Sequence, residues 1–335
     1  MFDVARNRPA DLSALEAPVI MIIVDTEEDF DWNKAFDRNS TSVASLAAQH
    51  RAQEVFARHG VVPTYVVDYP VATSDLAGET LARFQREGVA EIGAHLHPWV
   101  NPPHEEEVNV HNSYPGNLPP ALERAKLEIL TEAITERFGN RPTVYKAGRY
   151  GAGPATGKLL EALGYQVDLS VVPFTSFAAD GGPDFRGHGL QPYWFGAERN
   201  LLEIPFSCGY HGHLAGAGPW LYPLVTKPPL LKMRLPGILA RLGLLERIRL
   251  TPEGSNLDEH LRLTDWLVGQ GCRVFSIAYH SPSLAPGNTP YVKDETALGR
   301  FLDILDRYLG HFVKELGGRP STPSALYRRL KAPSS

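Results

Sequence analysis

Residues 19–33, VIMIIVDTEEDFDWN, pass from an apolar run straight into Asp25, Glu27, Glu28, Asp29 and Asp31. Carboxylates this close repel one another unless a cation, an arginine or a catalytic task uses them, although acids also suit the first turn of a helix. Three other stretches carry complementary groups: EIGAHLHPW with His95 and His97, YKAGRYGAG with Arg149, and RVFSIAYHSPSL with His280. Asp25 and Glu27 are two apart, and so are His95 and His97. On extended backbone, residues i and i+2 project to one side, so each pair offers two ligands to one centre. Two imidazoles and a carboxylate with an open water position suit a divalent ion, zinc foremost. Arg149, between glycines that permit close approach, could grip Asp25 in two-point contact and keep it ionised. His280 ends an apolar strand, where an imidazole is either hydrogen-bonded to backbone or a proton donor, and its position favours the donor.

These residues need elements to bring them together. Seven short β-branched runs are expected as strands: Val19 to Asp25, Val62 to Asp68, Glu91 to His95, Thr143 to Ala147, Gln166 to Leu169, Leu201 to Pro205 and Arg273 to His280. Helical spacing fills the intervals, at Val43, Leu46, Ala47 and Phe56, at Leu127, Leu130, Ile134 and Phe138, at Leu257, Leu261, Thr264 and Leu267, and at Leu298, Leu302, Leu305 and Leu309. Strands alternating with helices imply a parallel α/β sheet or barrel with right-handed crossovers. Sites of such folds gather at the C-terminal strand ends. There the map places Asp25, His95 and His280, with Arg149 just past a fourth strand and Asp168 nearly ending a fifth.

Two long irregular segments, Pro98 to Pro119 and Ser170 to Asn200, are expected as lids or binding loops. The first supplies Trp99, Asn112 and Tyr114, groups suited to stacking on and hydrogen-bonding a sugar. Tyr210 and His211, in FSCGYHGH after the sixth strand, are further candidates for the pocket, against a purely structural loop role. Residues 224–250 carry six Lys or Arg and one acid among leucines. They are expected as an outer helix with a solvated basic face, with a membrane-surface helix as the alternative.

A formal charge of -5 gives no general attraction to nucleic acid or acidic membranes. The N-terminal residues lack a signal-peptide apolar core and every apolar run is broken by Pro, Gly or a charge, so the chain is expected in the cytoplasm without integral membrane association. Cys208 and Cys272 are expected as two buried thiols. Residues 1–18 are expected as an N-terminal extension, 19–312 as one domain, and 313–335 as a C-terminal tail that frays from Gly317. The oligomeric state is left open, a homo-oligomer included.

The order of these motifs resembles the polysaccharide deacetylase family, the NodB-like carbohydrate esterases, and most closely its WalW-type members. The likeness spans about residues 19–312, through VDTEED, EIGAHLHPW, AGRYGAG and FSIAYH. It implies a distorted seven-stranded (β/α) barrel and metal-dependent removal of acetyl groups from sugars, the carbohydrate being the substrate partner. Carried over by residue, it implies Asp25 as general base, Glu27, His95 and His97 as metal ligands, Arg149 as the group orienting the base, and His280 as general acid. The family's acids are usually adjacent and its histidines usually separated by three residues, which leaves His104, His111 or another loop residue as alternative ligands. Rival readings are an allantoinase-like amide or cyclic-imide hydrolase, an amidohydrolase barrel, a two-carboxylate glycosidase and a sugar-binding pseudoenzyme.

Overall fold

A computed structural model describes residues 7–332. All seven expected strands form: β1 Val19–Thr26, β2 Thr64–Val67, β3 Glu91–Leu96, β4 Val144–Ala147, β5 Val167–Asp168, β6 Leu201–Glu203 and β7 Val274–His280. They pair in parallel in the order β6-β5-β4-β3-β2-β1-β7. No strand ladder joins β7 to β6. The gap is bridged by the Ser276 N–H donating to Ser207 Oγ at 2.8 Å and the Ser207 N–H donating to Ser276 Oγ at 3.2 Å. The result is a distorted seven-stranded (β/α) barrel in a single domain.

Strand parity sets what faces where. Met21, Ile23, Val66, Val144, Val167, Leu202, Val274 and Ala278 pack together inside the barrel. Their neighbours Ile22, Val24, Tyr65, Val67, Ala94, Tyr145, Ala147, Ile277 and Tyr279 pack outward in the layer shared with the helices. Extending the inward rows to the strand ends leads to Asp25, His95, Lys146 and His280. At Gly93 the barrel wall admits no side chain, since a Cβ would lie 2.9 Å from both the Val144 carbonyl oxygen and Val66 Cγ1.

The helices start and stop where side chains dictate. Pro120–Phe138 has proline in its first turn and closes on Gly139, whose φ of +76° is left-handed. Leu257–Gly269 begins with a reciprocal capping pair, Asn256 and Glu259, and Asp294 caps Glu295–Gly310. No helix among the described residues is long and apolar enough to cross a membrane.

Two expectations about the outer segments fail. The tail does not fray: Arg319–Pro320 pairs with Val19 and Ile20 of β1, and Pro323–Lys331 is a helix that buries Leu326 and Tyr327. Both side chains are apolar enough to dock on the barrel, which a short polar-looking stretch concealed. Residues 224–250 do not make one outer helix either. Residues 224–245 belong to an insertion at residues 212–245, between strands Cys208–His211 and Glu246–Arg249 of an antiparallel hairpin, and the run ends in the second of those strands; proline breaks the helix into Gly218–Val225 and Leu235–Arg241.

Candidate active site

The mouth of the barrel opens into a cavity of about 340 Å³ lined by Asp25, Glu27, His95, His97, Lys146, Arg149 and His280 and walled by Phe30, Trp32, Phe36, Trp99, Tyr114, Tyr150 and Phe177. A second cavity of about 310 Å³ starts from the far side of Asp25 and His280 and runs past Glu253, Arg247 and Arg249.

Glu27, His95 and His97 are buried together, with their ligand atoms within 4.8 Å of one another. Glu27 Oε2 lies 3.4 Å from His97 Nε2 and 3.7 Å from His95 Nε2. Each ring is oriented from behind. His95 Nδ1 donates to the Lys146 carbonyl at 2.9 Å, and His97 Nδ1 lies 2.8 Å from Glu28 Oε2. Both Nε2 lone pairs therefore point at Glu27, the arrangement that fixes tautomer and ring direction for a metal-ligating imidazole. The opposite oxygen, Glu27 Oε1, is buried with no hydrogen-bond partner among the described residues. Burial pushes His97 down to about 4 and lowers His95, so both are neutral near pH 7, the state that ligates. Burial also pushes Glu27 up to about 7, a shift that a bound cation would reverse. An N₂O donor set with an orphaned oxygen fits a borderline divalent cation such as Zn²⁺. His104 is exposed and His111 turns to Asn112 on an exposed loop, so neither joins this group.

Glu28 stands behind this group. Its second oxygen accepts from Trp99 Nε1 at 2.7 Å, and Trp99 stacks on His97 with ring centroids 4.3 Å apart. Trp99 is thus part of the cavity wall, but it is 2% exposed and committed to holding Glu28 and His97. Asp68, at the end of β2, accepts from the Glu28 N–H at 2.9 Å, and burial together with the Glu28 charge raises it well above the usual carboxylate range. Removing such a supporting carboxylate typically weakens metal binding about 10- to 100-fold. Glu28→Gln is therefore expected to lower Zn²⁺ affinity by that factor in calorimetric titration, with the apo protein still folded by circular dichroism.

Asp25 is gripped by a lysine, not by Arg149. Lys146 Nζ donates to both of its carboxylate oxygens, at 2.6 and 2.5 Å. Burial opposes ionisation of Asp25, but Lys146, then His95 and His280, hold it below the usual carboxylate range. Burial likewise opposes the charge on Lys146, and Asp25 overrides it. His280 Nε2 stands 4.0 Å from Asp25 Oδ2, and His280 Nδ1 lies 2.7 Å from Glu253 Oε2. Burial works against the imidazolium, yet the Glu253 and Glu27 charges push His280 up to about 10.

Arg149 does not orient Asp25. It follows the end of β4 with a left-handed φ of +54°, beyond the inward row, and its guanidinium donates to Ser113 Oγ at 2.5 Å and lies over the Tyr114 ring at 4.1 Å. It lines the rim, with Tyr114 beneath it. Asp168 is absent from the cavity because its parity is outward, opposite to Val167: it accepts from Ser170 Oγ at 2.5 Å and sits across from Glu203 on β6. Asn112 is also outside, its amide donating to the Glu107 carbonyl at 3.0 Å on the loop surface. Tyr210 is buried in the hairpin against Phe174 and Tyr222, and His211 faces Trp266 on its outer side. Lys146, Glu253, Glu28 and Asp68 were missed. Signals were present for three of them: Lys146 interrupts the apolar strand VYKA, where a buried ammonium needs a partner, Asp68 ends the second expected strand, and Glu28 stands in the opening carboxylate cluster.

No family model matches the chain, and no curated protein does. Solved structures do. A Mycobacterium smegmatis protein assigned as a polysaccharide deacetylase aligns with 97% of this chain and 93% of its own at TM-score 0.56 and 16% identity. One from Pseudomonas aeruginosa PAO1 with the same assignment aligns over 99% and 98% at TM-score 0.54 and 16% identity. The chain has the NodB-type barrel fold. Puue allantoinase shares it, over 99% of this chain and 97% of its own at TM-score 0.57 and 15% identity. Likeness at such identities is a likeness of architecture. Within the NodB-type barrel, the chemistry is set by the side chains at the mouth.

Proposed function

We propose that the chain is a metal-dependent hydrolase that removes an acetyl group from an N- or O-acetylated sugar of a surface polysaccharide or its precursor. The observation that carries this reading is a single constellation. An ionised Asp25 and a protonated His280 stand 4.0 Å apart, beside the Glu27, His95 and His97 donors, in an aromatic-walled cavity. Glu27, His95 and His97 would hold the cation, which when bound polarises the scissile carbonyl and makes water more acidic. Asp25, its pKa lowered by Lys146, receives the proton of the attacking water. His280, held by Glu253, donates a proton to the departing amine or alcohol. The half-buried Phe36 and Trp32 offer faces on which a pyranose ring can lie, and Arg149, seated over the buried Tyr114 ring, can donate to its oxygens from the rim. The WalW-like subgroup rests on the sequence motifs alone.

A second reading is hydrolysis of a small amide or cyclic imide. The cavity of about 340 Å³ favours it, being near the lower end for small-molecule sites. Acetate release from a panel of N-acetylated sugars, nucleotide sugars and oligosaccharides, run beside allantoin-like imides, separates the two.

The metal is testable before any substrate is known. The purified chain is expected to bind about one divalent ion, and His97→Ala to lose most of it. Elemental analysis finding none in the wild type, even after reconstitution with Zn²⁺, Co²⁺ and Mn²⁺, removes the metal-dependent reading.

A further inference from the structure

The insertion at residues 212–245 has two apolar sides, and the fold uses one. Its inner side packs on the hairpin: Leu221, Tyr222 and Leu239 lie against Tyr210, Ala215 and Leu245. The outer side should then be polar. Instead it carries Trp220, Leu224, Leu231, Met233, Ile238 and Leu242, with Trp220, Met233 and Leu242 respectively 64%, 67% and 63% exposed. Trp220 and Leu224 are four apart in one helix, and Ile238 and Leu242 are four apart from the second helix into its cap, so each pair forms a stripe on one face. Leu231 and Met233 sit on the turn between them.

Charge on this segment is of one sign. No Asp or Glu occurs between Ile204 and Leu245, while Lys227, Lys232, Arg234 and Arg241 do, in a chain whose formal charge is -5. All four are exposed, and none forms an ion pair with a carboxylate among the described residues. An exposed apolar face ringed by unpaired cations, with a tryptophan on it, is the makeup of an element that lies in the headgroup zone of an anionic bilayer. A second copy of the chain fits less well. A two-fold contact of this face with itself would oppose like charges with no acid in the segment to relieve them.

We propose that the insertion docks the protein on the surface of an anionic membrane, Trp220, Met233 and Leu242 entering the interface and Lys227, Lys232, Arg234 and Arg241 meeting lipid phosphates. The inference stands apart from the reading of the active site. It does link to it in space: strand Glu246–Arg249 leaves the insertion and, within roughly 13 Å of chain, brings Arg247 and Arg249 to the wall of the second cavity.

The test is co-flotation of the full chain with vesicles. Wild-type protein is expected to float with vesicles of equal parts phosphatidylglycerol and phosphatidylcholine, to float less as salt rises, and to stay behind with pure phosphatidylcholine. The triple variant Trp220→Ser, Met233→Ser, Leu242→Ser is expected to lose at least about tenfold in partitioning. Lys227→Glu with Arg234→Glu is expected to lose a similar factor on the anionic vesicles. Thermal melts of both variants should match wild type, because the altered side chains are already exposed. Failure of the wild type to float with anionic vesicles overturns the proposal. So does a wild-type dimer by light scattering that the triple variant converts to monomer, which would give the face to a second copy.

Discussion

Asp25→Asn is expected to lower turnover by at least about a hundredfold while metal content stays at the wild-type level. The reasoning starts from Lys146. Its ammonium contacts both oxygens of Asp25 and keeps the carboxylate ionised despite full burial, so at neutral pH it is in the state the proposed base requires. Asparagine has the same shape and no such capacity. Since Asp25 lies outside the Glu27, His95 and His97 group, the cation should remain, and loss of metal with the variant would instead make Asp25 a ligand. Stability complicates the measurement. Asp25→Asn leaves Lys146 buried without a countercharge, and breaking a buried pair from one side typically costs about 3–5 kcal/mol. The double variant Asp25→Asn with Lys146→Met removes both charges and is expected to recover most of the melting temperature and none of the turnover. Recovery of both would show the Asp25 loss to be one of folding.

Lys146 also marks where sequence reading stopped. The seven strands were legible because each is a short β-branched run, and the sites on them were legible where a polar residue ended such a run: Asp25 on β1, His95 on β3 and His280 on β7. Strand parity, applied with the same period of two that paired His95 with His97, would have gone further. It puts Lys146 in the inward row with Val144, and it turns Asp168 outward, opposite to Val167. Arg149 is the more conspicuous cation in the sequence, because its glycine neighbours suggest a ligand loop. Those glycines serve the barrel: a Cβ on Gly148 would lie 2.4 Å from the Leu96 carbonyl oxygen and 2.5 Å from His97 Cδ2, so the residue is small to let His97 into place. Glu253 had no local signal. It sits in the irregular stretch TPEGS, and its pairing with His280 depends on the hairpin's return to the barrel mouth. The outward apolar face at Trp220 and Leu242 was hidden for a related reason: a leucine-rich run says that something apolar is near, and the fold decides whether that is the protein's own core.

The alkaline limb of the pH–activity profile should belong to His280 and should move when Glu253 is changed. Glu253 Oε2 lies 2.7 Å from His280 Nδ1, and among the neighbouring charges it contributes most to the rise of the imidazole to about 10, with burial opposing and Glu27 assisting. The direction follows: His280 is protonated below that value, as the proposed acid must be, and loses its proton above it. A cation at Glu27 offsets that residue's share, so the loaded enzyme should show its limb somewhat below 10, still well above the ordinary imidazole value of about 6.5. Glu253→Gln keeps a hydrogen-bonding side chain but removes the charge, and is expected to bring the limb down by more than about one unit. Linkage gives a second readout of the same sign. A raised histidine stabilises the fold fully below about pH 6.5 and loses that contribution as pH climbs through its folded value, so the wild type's advantage over Glu253→Gln in thermal melts should shrink toward pH 10. Another titrating group could imitate the limb in activity data alone. His280→Ala assayed on an acetamide and on an activated aryl acetate resolves this, because a phenolate departs with little protonation and an amine does not. The amide should suffer far more than the ester, and its alkaline limb should disappear. Equal losses on both substrates, with the limb intact, would assign His280 to placing the substrate and leave the proton to come from elsewhere.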